Sequence, residues 1–263
     1  MLHLKRFLVG LVAVSLILAC GDGGKAAVIE DFSSDPIPGG RFIQITGGTE
    51  SSFTYNSAAQ NLTAVLDNDN ASAYYLSNSF PAVTDMGHAF FRMDFRITAV
   101  DVVEDAPLGL FGLMTSQHVN DYGDGLMAEF SSSVAGQVRV SARIDDSAFK
   151  VYGTPFNLAL NTDYYLFGSY SPVTRTLDVE VFSGATLVGT SSATHPGGGT
   201  LSVDRVGFQN YGRVVVDRSV DSITLTVDNI SNEVEVPEPS AVALLSTGSS
   251  LLFMAWRRRK RSP

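Results

Sequence analysis

With 263 residues the chain has room for one all-β domain flanked by targeting segments, or for two small domains. Its 18 basic residues face 27 acidic ones, and all 27 lie between positions 21 and 240 with only 11 of the basic residues. So acidic a body is repelled by phosphates, which excludes nucleic acid as an expected partner. The single cysteine, Cys20, precedes the body and leaves no disulfide framework or thiolate zinc site within it.

Lys5 and Arg6 open the chain, and Phe7 to Ala19 is an uncharged run of apolar and small residues. At that length and position it reads as the helix of a secretory signal peptide over residues 1–20. Ile17-Leu18-Ala19-Cys20 resembles a bacterial lipoprotein box, which would make Cys20 a lipidation site and hold the protein at a membrane. Leu18 departs from the small residue usual in such a box, and ordinary cleavage near Cys20 or near Ala26-Ala27 is the alternative.

The body, residues 28–230, reads as many short strands. In the run 91–98 the odd positions are apolar and the even ones polar, the period of a half-buried strand. Residues 177–181 and 223–228 repeat the pattern. Further strands are expected at 41–46, 61–66, 72–78, 108–114, 126–131, 137–144, 163–170, 186–192 and 201–208. Gly39-Gly40, Gly47-Gly48, Asp67-Asn68-Asp69-Asn70, Gly123-Asp124-Gly125, Asp145-Asp146 and Gly197-Gly198-Gly199 punctuate them. No helical period persists, so the expected fold is an all-β antiparallel sandwich or barrel. Residues 231–236 read as a stalk.

Beyond the stalk come three parts in fixed order. Pro237-Glu238-Pro239 forms an extended strip, because proline blocks helix propagation. Ala241 to Trp256 is an apolar membrane segment, expected to be helical. Arg257, Arg258, Arg259, Lys260 and Arg261 hold the end in the cytoplasm by the positive-inside rule. This tail, residues 237–263, resembles the PEP-CTERM sorting domain. The resemblance implies recognition by an exosortase, a membrane transpeptidase-like enzyme that processes the tail after export. It also implies a Gram-negative host that makes exopolysaccharide, with the body left at the cell surface or outside the cell.

A second resemblance covers about half of the body. Residues 163–170, the turn Ser171–Arg175, the strand Leu177–Phe182 and a further strand after Gly184 are similar to the central hairpins of concanavalin A-like or laminin-G-like jelly rolls. Residues 203–208 and the closing strand Ser222–Ile230 fit that family's ending. The resemblance favours a sandwich over a barrel.

The body's chemistry is sparse. Asp178 and Glu180 share a strand face, as a pair of glycosidase carboxylates would, but they alternate with Leu177, Val179 and Val181 and read as the solvated face. Glu30, Asp31 and Asp228 stand at the ends of the first and last strands, which often lie together in sandwiches, so a structural calcium is one expectation. Asn120, Tyr122 and Asp124 share a glycine-rich loop and are the candidate ligand loop. The leading expectation is a non-enzymatic surface or extracellular-matrix protein with glycan or exopolysaccharide as a partner. The alternatives are a secreted carbohydrate-active enzyme and a calcium-dependent adhesion module.

Overall fold

The computed structural model describes residues 25–46, 51–67, 73–78, 83–84, 87–101, 107–115, 123–133, 137–146, 149–197, 201–210 and 221–235. The first strands are β1 (Lys25–Glu30), β2 (Phe42–Thr46), β3 (Ser52–Asn56), β4 (Asn61–Asp67), β5 (Ala73–Ser77) and β6 (Val83–Thr84). Next come β7 (Ala89–Asp101), β8 (Pro107–Met114), β9 (Gly125–Ser133), β10 (Gln137–Asp145), β11 (Lys150–Tyr152) and β12 (Phe156–Leu158). The last are β13 (Asp163–Ser171), β14 (Thr176–Ser183), β15 (Thr186–Thr194), β16 (Ser202–Val203), β17 (Arg205–Asn210) and β18 (Ser222–Glu235).

They form two large antiparallel sheets. The first runs β15-β14-β13-β7-β18-β4-β3, with β1 also on β18. The second runs β11-β10-β9-β8-β17-β5-β2, with β12 also on β10. The short β6 and β16 pair separately. The expected all-β antiparallel sandwich is therefore observed. The signal helix expected over 1–20 and the membrane helix within 237–263 lie outside the described residues. No helix among the described residues is long and apolar enough to cross a membrane.

The core lies between the inner faces of the two sheets. Phe91, Met93, Phe95 and Ile97 of β7 point inward while Phe90, Arg92, Asp94 and Arg96 point out, as the period-2 pattern requires. Aromatic rings bridge the layers. Phe91 meets Phe111 edge-on at 5.9 Å, and Phe95 meets Phe130 edge-on at 5.7 Å. Each such side chain, fully buried, contributes about 1.5–3 kcal/mol of transfer free energy. Gly168 of β13 sits opposite Phe91. A Cβ there would come within 2.1 Å of the Phe91 ring, so the missing side chain is what admits the phenyl group.

The central strands of the second sheet are buried on both sides. Strands β8, β9 and β10 show almost no exposed position, and Leu76, Leu110, Met114 and Met127 form an apolar cluster on the face turned away from the main core. Such strands read as nearly continuous apolar runs, as Leu108 to Met114 does.

Strand β18 corrects the expected stalk. Ile223, Leu225 and Val227 point inward, then a bulge between Val227 and Asn229 inserts Asp228. The inward phase resumes at Ile230, and pairing with β7 continues to Val234 opposite Ala89. Residues 231–235 are thus sheet, because the bulge shifts the alternation and the ladder carries on.

Candidate functional site

Glu30, Asp31 and Asp228 do not gather as expected. Glu30 is buried and ion-paired with Arg41, Nε to Oε2 at 2.8 Å, while its Oε1 accepts the Phe32 N–H at 2.8 Å. Arg41 also donates to the Ser34 carbonyl and hydroxyl, so this pair clamps the β1–β2 loop. Asp31 is exposed and accepts the Ser33 N–H at 3.0 Å, which holds its carboxyl below the usual range. Asp228, turned out by its bulge, lies instead among Asn61, Asp163, Asp94 and Arg96. Partial burial, with Asp163 and Asp94 adding to it, pushes its carboxyl up. Among the described residues no group of three or more His, Cys, Asp or Glu is placed to hold a metal ion.

Of the candidate ligand loop, Asn120 and Tyr122 lie outside the described residues, as do Cys20 and the tail residues Pro237, Glu238, Pro239, Arg257, Arg258, Arg259, Lys260 and Arg261. Asp124 is described. Its Oδ2 accepts the Ser202 N–H at 2.8 Å and its carbonyl accepts the Thr115 N–H at 3.0 Å, so it ties the start of β16 to the end of β8. Asp178 and Glu180 lie on the outer face of the first sheet, where Asp178 accepts the Ser192 hydroxyl.

That outer face carries an aromatic surface that lies apart from the candidate ligand loop. Tyr165 of β13 stacks on Phe182 of β14 at 4.7 Å with planes 7° apart, and Phe90 of β7 stacks on Phe167 of β13 at 5.7 Å. All four rings are half-buried. Arg92 lies over the Tyr165 ring at 5.0 Å and pairs with Asp94 at 2.9 Å, and Asp94 also accepts the Asn229 amide. Arg96 grips Asp163 through two bonds of 2.7 Å. The stacked pairs stabilise the sheet as cross-strand neighbours do. They also set apolar ring surface beside fixed donors and acceptors, the combination that meets the C–H face and the hydroxyl rim of a sugar ring. The signal was present in the alternation: Tyr165 and Phe167 share the parity of exposed Asp163, so their strand puts aromatic residues on its solvent face.

Two buried polar networks gather on and beside β10. Arg143, with no exposed surface, is held by Asp145 through bonds of 2.8 and 2.6 Å and by Glu129 at 2.9 Å, with its guanidinium 5.3 Å above the Tyr152 ring. His195 Nδ1 accepts from Arg175 and from the Gly197 N–H, so the ring hydrogen sits on Nε2 and is donated to Asp146. Ser191 of β15 accepts the Ala142 N–H of β10 at 2.9 Å. The His195–Asp146 and Ser191–Ala142 bonds join the β15 edge of one sheet to the β10 edge of the other, whereas the Arg143 network lies within the second sheet, among β9, β10 and β11.

Residues 235–260 match the model of the PEP-CTERM protein-sorting motif. The tail is a PEP-CTERM sorting signal. The match begins where β18 ends, two residues before Pro237. Such a signal implies export and a surface or extracellular location in a Gram-negative bacterium. No curated protein matches the chain. Among solved structures the body is similar to the CBM2 module of an evolved Dit protein from Lactobacillus casei phage J-1, at 10% identity and TM-score 0.53 over 81% of this chain and 98% of that one. Basic winged bean lectin, solved with Tn-antigen, gives 12% identity and TM-score 0.52 over 81% and 100% of the two chains. Peanut lectin gives 13% and 0.52 over 80% and 97%. At these identities the likeness establishes a lectin-like jelly-roll fold.

Proposed function

We propose that this PEP-CTERM protein is a non-enzymatic component of the cell surface or extracellular matrix, released or attached there after exosortase processing, and that it contacts glycan through the outer face of its first sheet. The observation that carries the reading is the sorting signal joined directly to the last strand of a jelly roll. The half-buried pairs Tyr165–Phe182 and Phe90–Phe167, with Arg92 and Asp94 beside them, support the glycan contact. Asp146 and His195 are engaged in a bond between the sheets and Arg143 in a network within the second sheet, which favours binding over turnover.

Two experiments test it. In a host with an exosortase, the chain should be recovered shortened at its C-terminus. Deleting the exosortase, or replacing Pro237, Glu238 and Pro239 by alanine, should leave full-length protein in the membrane. On a polysaccharide panel the protein should bind at least one member and hydrolyse none, and Tyr165→Ala with Phe182→Ala should weaken binding roughly tenfold or more, since the double change removes the apolar ring surface that the sugar would cover. Turnover of any member would defeat the non-enzymatic reading.

A further inference from the structure

The two margins of the sandwich differ. At the β10–β15 margin hydrogen bonds close the gap between the sheets. At the other margin, where β2 edges one sheet and β3 the other, a cavity of about 160 Å³ remains. Phe53, Leu62 and the ring of Tyr75 make its deep apolar lining, and Asp35, Gln44 and Tyr55 bring polar groups to it. Ile37 stands at its lip and is 36% exposed, so the cavity is reached from solvent.

Tyr75 makes this more than a packing gap. The residue is 1% exposed, and its buried hydroxyl has no hydrogen-bond partner among the described residues. A buried hydroxyl left unmade is costly, so such a group signals something that completes it. Burial, aided by the carboxylates of Glu30 and Asp35, pushes its ionisation well above the ordinary tyrosine range. The hydroxyl therefore stays protonated and offers a donor to an incoming acceptor oxygen. Phe42 and Phe53 fix the ring from two sides, at 4.9 and 5.4 Å.

Size and charge narrow the ligand. The volume is close to the roughly 150 Å³ that accommodates one benzene molecule in a protein interior, so no more than one sugar ring can enter, with its outer substituents left at the open lip. An ammonium group would leave the Tyr75 donor unanswered. A carboxylate or phosphate would meet the Asp35 carboxylate. A neutral ring that carries acceptor oxygens and hydroxyl donors satisfies Tyr75, Asp35 and Gln44 together, with its C–H surface against Phe53 and Leu62. We propose that this cavity binds one neutral pyranose unit, as a chain end or side branch of a glycan. The choice of ligand class rests on the glycan-contact reading above; the cavity and its unanswered donor do not.

The test uses the full chain in a zwitterionic, sugar-free detergent, titrated with methyl glucopyranoside, galactopyranoside and mannopyranoside and with glucuronate, by calorimetry and saturation-transfer NMR. At least one neutral methyl pyranoside should bind and glucuronate should not. Tyr75→Phe should weaken that binding about five- to tenfold, the value of one hydrogen bond, and leave the melting temperature equal or higher because no internal bond is lost. Gln44→Ala, at an exposed position, should weaken binding without affecting the melt. The proposal is overturned if no methyl pyranoside binds below roughly 50 mM, or if Tyr75→Phe binds as the parent does. Polysaccharide binding lost in the Tyr165→Ala, Phe182→Ala variant with no pyranoside binding would sink the pocket and keep the glycan-contact reading. Pyranoside binding abolished by Tyr75→Phe, in a protein that binds no polysaccharide, would do the reverse.

Discussion

Replacing Arg143 by methionine should be among the most damaging single changes in the sandwich, for an electrostatic reason. The guanidinium has no exposed surface, Asp145 is 1% exposed and Glu129 9%. Arg143→Met keeps much of the volume but removes the guanidinium that bridges two buried carboxylates. Breaking a buried pair in this way costs about 3–5 kcal/mol. For a domain of this size that lowers the melting temperature by about 6–20 °C. The apolar triple replacement separates this cause from lost packing. Replacing all three residues by apolar ones should restore most of the stability in thermal melts followed by circular dichroism. A fall under roughly 2 °C at pH 7 for Arg143→Met, or a triple variant no more stable than Arg143→Met, would refute the reasoning.

Gly168→Ala should cost about 1–3 kcal/mol, because its Cβ collides with the Phe91 ring; Phe91→Leu in the same chain should recover part of the loss in a urea melt. Asp228→Asn should stabilise the protein at neutral pH. Its folded carboxyl is pushed up by burial and by Asp163 and Asp94, so the folded state loses stability as pH rises through that raised value. The gain should stay within about 0.5 kcal/mol at this exposed bulge and vanish in acid, which differential scanning calorimetry across pH would show. Asp124→Ala should cost about 0.5–1.5 kcal/mol by releasing the Ser202 N–H, and faster hydrogen exchange at Ser202 would report it directly.

Much of the sandwich was legible because alternation is a local signal. The runs at 61–66, 91–98, 163–170 and 177–181 became β4, β7, β13 and β14 with alternate positions inward. What escaped had weak alternation or broke it. Strand β3, Ser52–Asn56, is a short polar edge strand in which only Phe53 reaches the hydrophobic core. Strands β11 and β12, three residues each, take their form from β10 rather than from their own composition. The run 201–208 divides into β16 and β17 at Asp204, since Ser202 and Val203 pair with β6 while Arg205 onward pairs with β8. The bulge at Asp228 hid five further residues of β18 by reversing the phase.

The sites divide along a different line. A sorting signal is read by another machine as an extended stretch of chain, so order and spacing carry its meaning, and Pro237-Glu238-Pro239 with its basic end was recognisable before any fold was known. A binding surface is assembled across strands. Tyr165 and Phe182 are 17 positions apart, and they become one surface only when β13 and β14 pair in the register that sets them opposite. Tyr75 and Phe53 reach one cavity from different sheets. The expected calcium cluster failed for the same reason in reverse. Glu30 ends β1 on the neighbouring β18, but Asp228 lies in the middle of β18 rather than at its end; Arg41 holds Glu30 buried beside Tyr75 while the bulge turns Asp228 outward toward Asp94. Pairing of the first and last strands fixes the backbone; which way each carboxylate faces depends on a bulge and an arginine that no spacing rule contains.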